Sequence, residues 1–180
     1  MIVVMGIVGS GKGTQGKWLA EDHKLVYVST GDILREHASQ EQQERMAAGG
    51  LLDDKEIIAM VDAVMKELPN VNASLFDGFP RSLAQTEWLL DQVKAGRLTM
   101  PVFLHLNVSK DEVKKRLLLR GRNDDTPEAI EKRFELYDAV TDPIFDYLKS
   151  NNVPVYDINA AQTPDEVHQS IIDCLNAIKE

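Results

Sequence analysis

The residues best suited to chemistry stand near the start of the chain. In "VVMGIVGSGKGTQ", Val3 to Gln15, four glycines fall within eight positions. Ile2 to Met5 reads as a short buried strand and "GKGTQGKWLAEDH", from Gly11 onward, as a helix, so the glycines occupy a strand-to-helix turn. Glycine lets backbone N–H groups turn inward with no side chain in the way, and a helix N-terminus adds about half a positive charge at the same spot. Lys12 adds a full charge beside it. Gly6 to Lys12 fits the G-x-x-x-x-G-K pattern of a phosphate-binding loop, but Gly13 stands where most such loops carry Ser or Thr. A direct hydroxyl ligand for magnesium is therefore missing at that position, with Thr14 one step on. A glycine-rich turn with a surface lysine would spell the same letters; the strand before it and the helix after it favour the phosphates of a nucleoside triphosphate.

Three further stretches place charge where chemistry can use it. "STGDILRE", Ser29 to Glu36, follows the second strand and sets Arg35 one helical turn beyond Gly31. In "FDGFPRSLAQ", Phe76 to Gln85, Asp77 ends a buried strand, where a carboxylate can hold a magnesium ion through water; Gly78 and Pro80 shape the turn and Arg81 projects from it. In "RLLLRGRNDD", Arg116 to Asp125, Arg116 and Arg120 share a helix face at the i, i+4 spacing, Arg122 follows one glycine later, and Arg133 comes on the next helix. Any one of these arginines alone reads as a solvated charge or a structural ion pair. Together, Arg35, Arg81, Arg120, Arg122 and Arg133 fall at or near the carboxyl end of the expected sheet in an otherwise acidic chain. So many guanidinium groups would repel one another without anions between them. Phosphoryl transfer between two anionic molecules needs this arrangement, because charge on donor and acceptor must be cancelled while they are held in line.

Those side chains need a scaffold to bring them together. Short apolar strands at Ile2 to Met5, Leu25 to Val28, Ser74 to Phe76, Val102 to Leu106 and Val153 to Asp157 alternate with helical segments. That alternation predicts an α/β fold of P-loop NTPase type: a parallel five-stranded sheet with helices on both faces. Capping chemistry marks helix starts at Ser109 with Glu112, at Asp53 with Glu56, and at Thr163 with Pro164 and Glu166. Ile57, Met60, Val61, Val64 and Leu68, and likewise Ile130, Phe134, Tyr137 and Val140, recur at helical steps and are expected to pack the core. One domain, 1–180, is expected: a core of 1–29, 70–115 and 134–180, a helical excursion 30–69, and a short arginine-rich excursion 116–133, which the family resemblance given below makes a very short lid region. Ligands of open α/β sheets bind at the carboxyl ends of strands, where the phosphate loop and both excursions begin.

Size and composition agree with this plan. The 180 residues suffice for one well-cored domain, and 43% hydrophobic and 27% charged content are ordinary for a soluble enzyme. No stretch approaches the roughly 20 apolar residues of a membrane span, so a cytoplasmic protein is expected. A net charge of -9 speaks against a general nucleic-acid binder. The single cysteine, Cys174, lies among Ile171, Ile172, Leu175 and Ile178 and reads as a packed core thiol; the four histidines show no metal-ligand spacing.

Taken in order, "GSGKGTQ", "STGDILR", "DGFPR" followed by Gln85, and "RNDD" followed by "KRFELYDAVTDPIFDYL" resemble the adenylate kinases, within the nucleoside monophosphate kinases, over nearly the whole chain. The resemblance implies reversible, magnesium-dependent transfer from ATP to AMP giving two ADP, directly and without a covalent enzyme intermediate. It implies that Gly9, Ser10, Gly11, Lys12, Gly13 and Thr14 hold ATP phosphates, Lys12 tracking the group in flight. Arg116 would stack on the donor adenine, with Ala161 and Gln162 lining that base. Arg35 and Arg81 would hold the monophosphate, and Arg120, Arg122 and Arg133 would clamp the donor and the transferred group, the last two also reaching AMP. Lys12, Arg81, Arg120, Arg122 and Arg133 are thus the implied catalytic set, with Asp77 holding Mg2+ through water. Thr30, Leu52, Gly78 and Gln85 match positions around the acceptor; a side-chain amide at Gln85 can offer a donor and an acceptor together to an adenine edge.

Two departures accompany the match. Val8 stands where the family usually has proline, which removes no phosphate donor. Only Gly121 separates Arg120 from Arg122, shorter than the family's short lids, and adenylate kinases are themselves a standard example of lid closure. The partners implied are ATP, AMP and ADP, with no nucleic acid and no membrane; a monomer is expected, or an oligomer if one replaces the lid. A UMP/CMP-type kinase of the same fold is the nearest alternative, and a nucleotide-binding protein without catalysis is the alternative of a different class.

Overall fold

The computed structural model describes residues 1–47, 52–120 and 125–179. Five strands, β1 (Ile2–Met5), β2 (Val26–Ser29), β3 (Ser74–Asp77), β4 (Val102–Asn107) and β5 (Val155–Asn159), form one sheet in the order β2-β3-β1-β4-β5. Every pairing is parallel, with Val3 opposite both Phe76 and Phe103. The helices are α1 (Lys12–His23), α2 (Thr30–His37), α3 (Gln40–Ala47), α4 (Asp54–Glu67), α5 (Leu83–Lys94), α6 (Lys110–Arg120), α7 (Pro127–Leu136), α8 (Asp142–Ser150) and α9 (Pro164–Lys179).

Strand periodicity sorts the core into two layers. Val3 and Met5 of β1 face one side of the sheet with Phe76, Phe103, Val61 of α4, Leu89 of α5 and Ile144 of α8. Ile2 and Val4 face the other side with Leu19 of α1 and Val167, Ile171 and Leu175 of α9. Fully buried side chains such as Phe76 and Phe103 each contribute on the order of 1.5–3 kcal/mol of burial free energy. Cys174 packs half-buried on the second layer, and desolvation pushes its thiol pKa up. No helix among the described residues is long and apolar enough to cross a membrane.

This layering places the site. Neighbouring strands β1 and β3 send their following helices, α1 and α5, to opposite faces, which opens a crevice at their carboxyl ends. The Gly6 to Lys12 loop leaves one strand there and the Asp77 to Arg81 turn leaves the other.

Some boundaries move from the sequence expectation for identifiable reasons. The Leu25 N–H still bonds the Ala20 carbonyl at 2.8 Å, so β2 begins at Val26. Val153 N–H is likewise spent on Leu148, and Pro154 has no N–H to give, so β5 begins at Val155. Val140 is not core but 41% exposed. One turn of π-helix, Tyr137–Thr141, advances the register between α7 and α8 and turns Thr141 inward in its place. The three expected caps form: the Asp53 and Glu56 box is reciprocal, Glu112 N–H reaches Ser109 Oγ, and Thr163 and Glu166 bond each other.

Candidate active site

The phosphate-type loop is built from the backbone. Gly11, the N-cap of α1, has φ +100°, a conformation that only glycine adopts without strain, and it carries no side-chain cap. The first bond of the helix runs from Gln15 N–H to Gly11 O at 3.0 Å, so the N–H groups of Lys12, Gly13 and Thr14 have no intrahelical acceptor and point out of the helix end. The Ser10 N–H is committed to Ile7 O at 3.1 Å, and its buried hydroxyl turns into the loop. The Lys12 ammonium folds back onto the carbonyls of Gly6 and Ile7 at 2.8 and 2.9 Å. Desolvation lowers its pKa to about 8, with Arg81 and Arg120 pushing the same way and Asp77 opposing them.

Asp77 ends β3 facing this lysine. Tyr27 donates its phenolic hydrogen to Asp77 Oδ2 at 2.7 Å, and Thr30 donates to the Asp77 carbonyl at 3.2 Å. The Arg81 Nε donates to Gly78 O at 2.6 Å, over a glycine whose absent Cβ would lie 2.6 Å from the guanidinium. Arg81 is reached by solvent at the mouth of the crevice, yet the packing around its head lowers its pKa through desolvation against the pull of Asp77.

The remaining cations are held by an anion that the chain provides itself. Asp125, its side chain fully buried, accepts from Arg120 Nε and Nη2 at 2.9 and 2.7 Å and from Arg133 Nη1 at 3.3 Å. Sequence reasoning quoted this aspartate but gave it no role. The signal was the expected repulsion among arginines, part of which an internal carboxylate relieves. Arg122 lies outside the described residues, as does most of the segment joining α6 to α7.

On the acceptor side, Gln85 is 2% exposed: its Oε1 accepts from Arg81 N–H at 2.8 Å and its Nε2 donates to Asp54 at 2.7 Å, which leaves one lone pair and one N–H of the amide to spend. Thr30 and Leu52 are buried nearby in sequence to this group of helices. Arg35 stands apart, exposed and turned back on Asp32. On the donor side, Arg116 is drawn to the turn after β5 by a bond to Ala160 O at 2.9 Å, with Glu112 bracing Nε at 3.0 Å. Ala161 and Gln162 are exposed in that turn, beside an open groove of about 430 Å³ lined by Asn107, Val108, Ser109, Ile158, Asn159 and Ala161.

A family model described as adenylate kinase matches residues 4–153, spanning the phosphate-type loop, the Asp77 to Arg81 turn and the arginine cluster. The chain belongs to the adenylate kinase family. Curated relatives of that name include one from Corynebacterium urealyticum, 33% identical over 181 residues covering 97% of this chain and 98% of the relative. Another, from Rhodopirellula baltica, is 36% identical over 182 residues, 97% of this chain and 94% of the other. The family also accommodates longer chains: the match to Streptomyces avermitilis, 32% identical over 97% of this chain and 96% of the relative, runs over 212 positions and so includes segments this one lacks.

Proposed function

We propose that the chain catalyses reversible transfer of the terminal phosphoryl group from ATP to AMP, giving two ADP, by direct in-line transfer. The observation that carries this reading is that neighbouring strands β1 and β3 deliver the Gly6 to Lys12 loop and the Asp77 to Arg81 turn to one crevice, where a Cβ built at Gly13 would lie 3.6 Å from Asp77 Oδ2. A simple nucleotide-binding module has little need for cations on both sides of the crevice.

The N–H groups at the start of α1 and Lys12 hold the donor phosphates; Arg81, with Arg35 swinging off Asp32, holds the acceptor phosphate. Arg120, Arg122 and Arg133 neutralise charge on the group in flight, the first and last oriented by Asp125. Arg116 and the Ala161 to Gln162 turn take the donor base, and Thr30, Leu52, Gly78 and Gln85 surround the acceptor. Nothing in this set needs to remove a proton: catalysis rests on positioning and charge cancellation. The donor set fits magnesium held through water, since Asp77 Oδ2 is engaged by Tyr27 while Oδ1 accepts no hydrogen bond among the described residues. When bound, magnesium supplies charge neutralisation on the β- and γ-phosphates.

A coupled assay of ADP formation tests the reading, with AMP, CMP, UMP and GMP in competition as acceptors. AMP is expected to be consumed first; ATP binding without turnover for any acceptor would overturn it.

A further inference from the structure

Resting on the reading just given, we infer that Tyr27 is a positioning residue for the metal-water carboxylate, its phenol filling the place of the hydroxyl that the loop lacks at Gly13. The two facts that support this come from different parts of the chain. At residue 13 there is no side chain, and a Cβ built there would lie 3.6 Å from Asp77 Oδ2 and 3.7 Å from the Tyr27 hydroxyl. From β2, on the face of the sheet that α1 covers, the Tyr27 phenol reaches the same Oδ2 at 2.7 Å. A hydroxyl beside Asp77 is thus present, supplied by the neighbouring strand instead of by the loop.

The ring is fixed for this purpose. Tyr27 lies on the backbone of α1 at Gly16, where a Cβ would approach its Cε2 to 2.8 Å, and the Lys17 ammonium sits 5.9 Å above its face. A side chain at residue 16 would displace the ring. One carboxylate oxygen is pinned, and the other, Oδ1, would be left for water on a bound cation. Groups that orient a metal's ligands in this way typically change metal affinity or activity by about 10–100-fold when removed.

The test compares Tyr27→Phe with Tyr27→Phe/Gly13→Ser. Two quantities are read: the free Mg2+ concentration giving half-maximal turnover, and the Kd of Mn2+ from its complex with the protein and ATP, by electron paramagnetic resonance. In Tyr27→Phe both should rise roughly tenfold, with the KM for ATP within about twofold of wild type. Adding Ser at residue 13, whose Cβ meets only ordinary contact distances, should bring both back toward wild type. An unchanged metal requirement in Tyr27→Phe, a loss of turnover equal at all metal concentrations, or no recovery in the double variant would each overturn the inference. The Mn2+ titration needs no turnover, so it judges Tyr27 even if the wild-type protein makes no ADP and the functional reading itself fails.

Discussion

The Lys12 ammonium donates to the carbonyl oxygen of Gly6 at 2.8 Å, folding the side chain back over the loop it follows. In that position its pKa is about 8 instead of 10.5. Phosphates bound at the loop bring opposite charge and raise it again. Above pH 8 the complex therefore holds more protons than the free protein: binding takes up a proton, and affinity falls as pH rises through the free value. Calorimetry of ATP binding at about pH 8.5, in two buffers of different ionisation enthalpy, should reveal fractional proton uptake. Lys12→Met should remove that uptake and cost orders of magnitude in turnover. The same depression predicts that Lys12 disfavours the free fold below about 8 and that this cost is relieved as pH climbs toward 10.5. Wild type with no buffer-dependent heat would contradict the assignment.

Asp125→Asn should separate structure from catalysis at the arginine cluster. The carboxylate is fully buried while Arg120 and Arg133 remain 33% and 29% exposed. Breaking a buried pair costs about 3–5 kcal/mol, and the partial exposure of both arginines puts this site near the lower end. Urea unfolding reads that loss. Because the two guanidinium groups then lose this carboxylate, added sulfate should raise Tm more in the variant than in wild type. Equal shifts in the two proteins would mean that Asp125 is not what holds the cations together.

The five strands and the four charged motifs were legible in the sequence because each is a local pattern: an apolar run, a glycine turn, a cap, an arginine at fixed spacing. What escaped depends on long-range geometry. Val140 continues the three-and-four-residue spacing of Ile130, Phe134 and Tyr137, yet it is exposed because one π-turn shifts the helix phase, and no composition rule marks that turn. Tyr27 and Asp77 meet only because β2 and β3 are neighbours, with Ser29 opposite Asp77. The partner that orients Gln85 comes from α4, 31 residues earlier in the chain. Arg35 illustrates the reverse case, a residue whose motif was plain but whose side chain is spent on a neighbour, Asp32.

The π-turn leads to a third prediction. Thr141, 9% exposed, donates from Oγ1 to the Arg81 carbonyl at 3.0 Å, tying the segment after α7 to the turn after β3. Thr141→Val keeps the shape and removes the donor, at about 1 kcal/mol. Since Arg81 carries the acceptor side of the proposed site, KM for AMP should rise several-fold. Val140→Ala, on the exposed side of the same turn, should stay within about 0.5 kcal/mol of wild type. Equal effects from the two substitutions would place the importance in the turn itself and not in the bond to Arg81.

Acceptor selectivity should depend on Asp54, which never needs to touch the base. The Gln85 amide is orientationally ambiguous on its own, because exchanging Oε1 and Nε2 costs little in shape. Here the Arg81 N–H demands the oxygen on one side and the Asp54 carboxylate demands the nitrogen on the other, at 2.8 and 2.7 Å. That fixes which remaining donor and acceptor the amide presents. Asp54→Ala removes one constraint, leaves a buried N–H unsatisfied at a cost of about 1–3 kcal/mol, and frees the amide to turn over. A turned amide suits a 6-keto purine as well as a 6-amino one, so the preference in kcat/KM for AMP over GMP should narrow by roughly tenfold. Acceptor competition in the purified variant measures this directly. A lower Tm with an unchanged AMP to GMP ratio would assign the Gln85 to Asp54 bond to stability alone, whereas a narrowed ratio that Asp54→Asn restores, through its own carbonyl oxygen, would show that the bond sets the direction in which Gln85 reads the base.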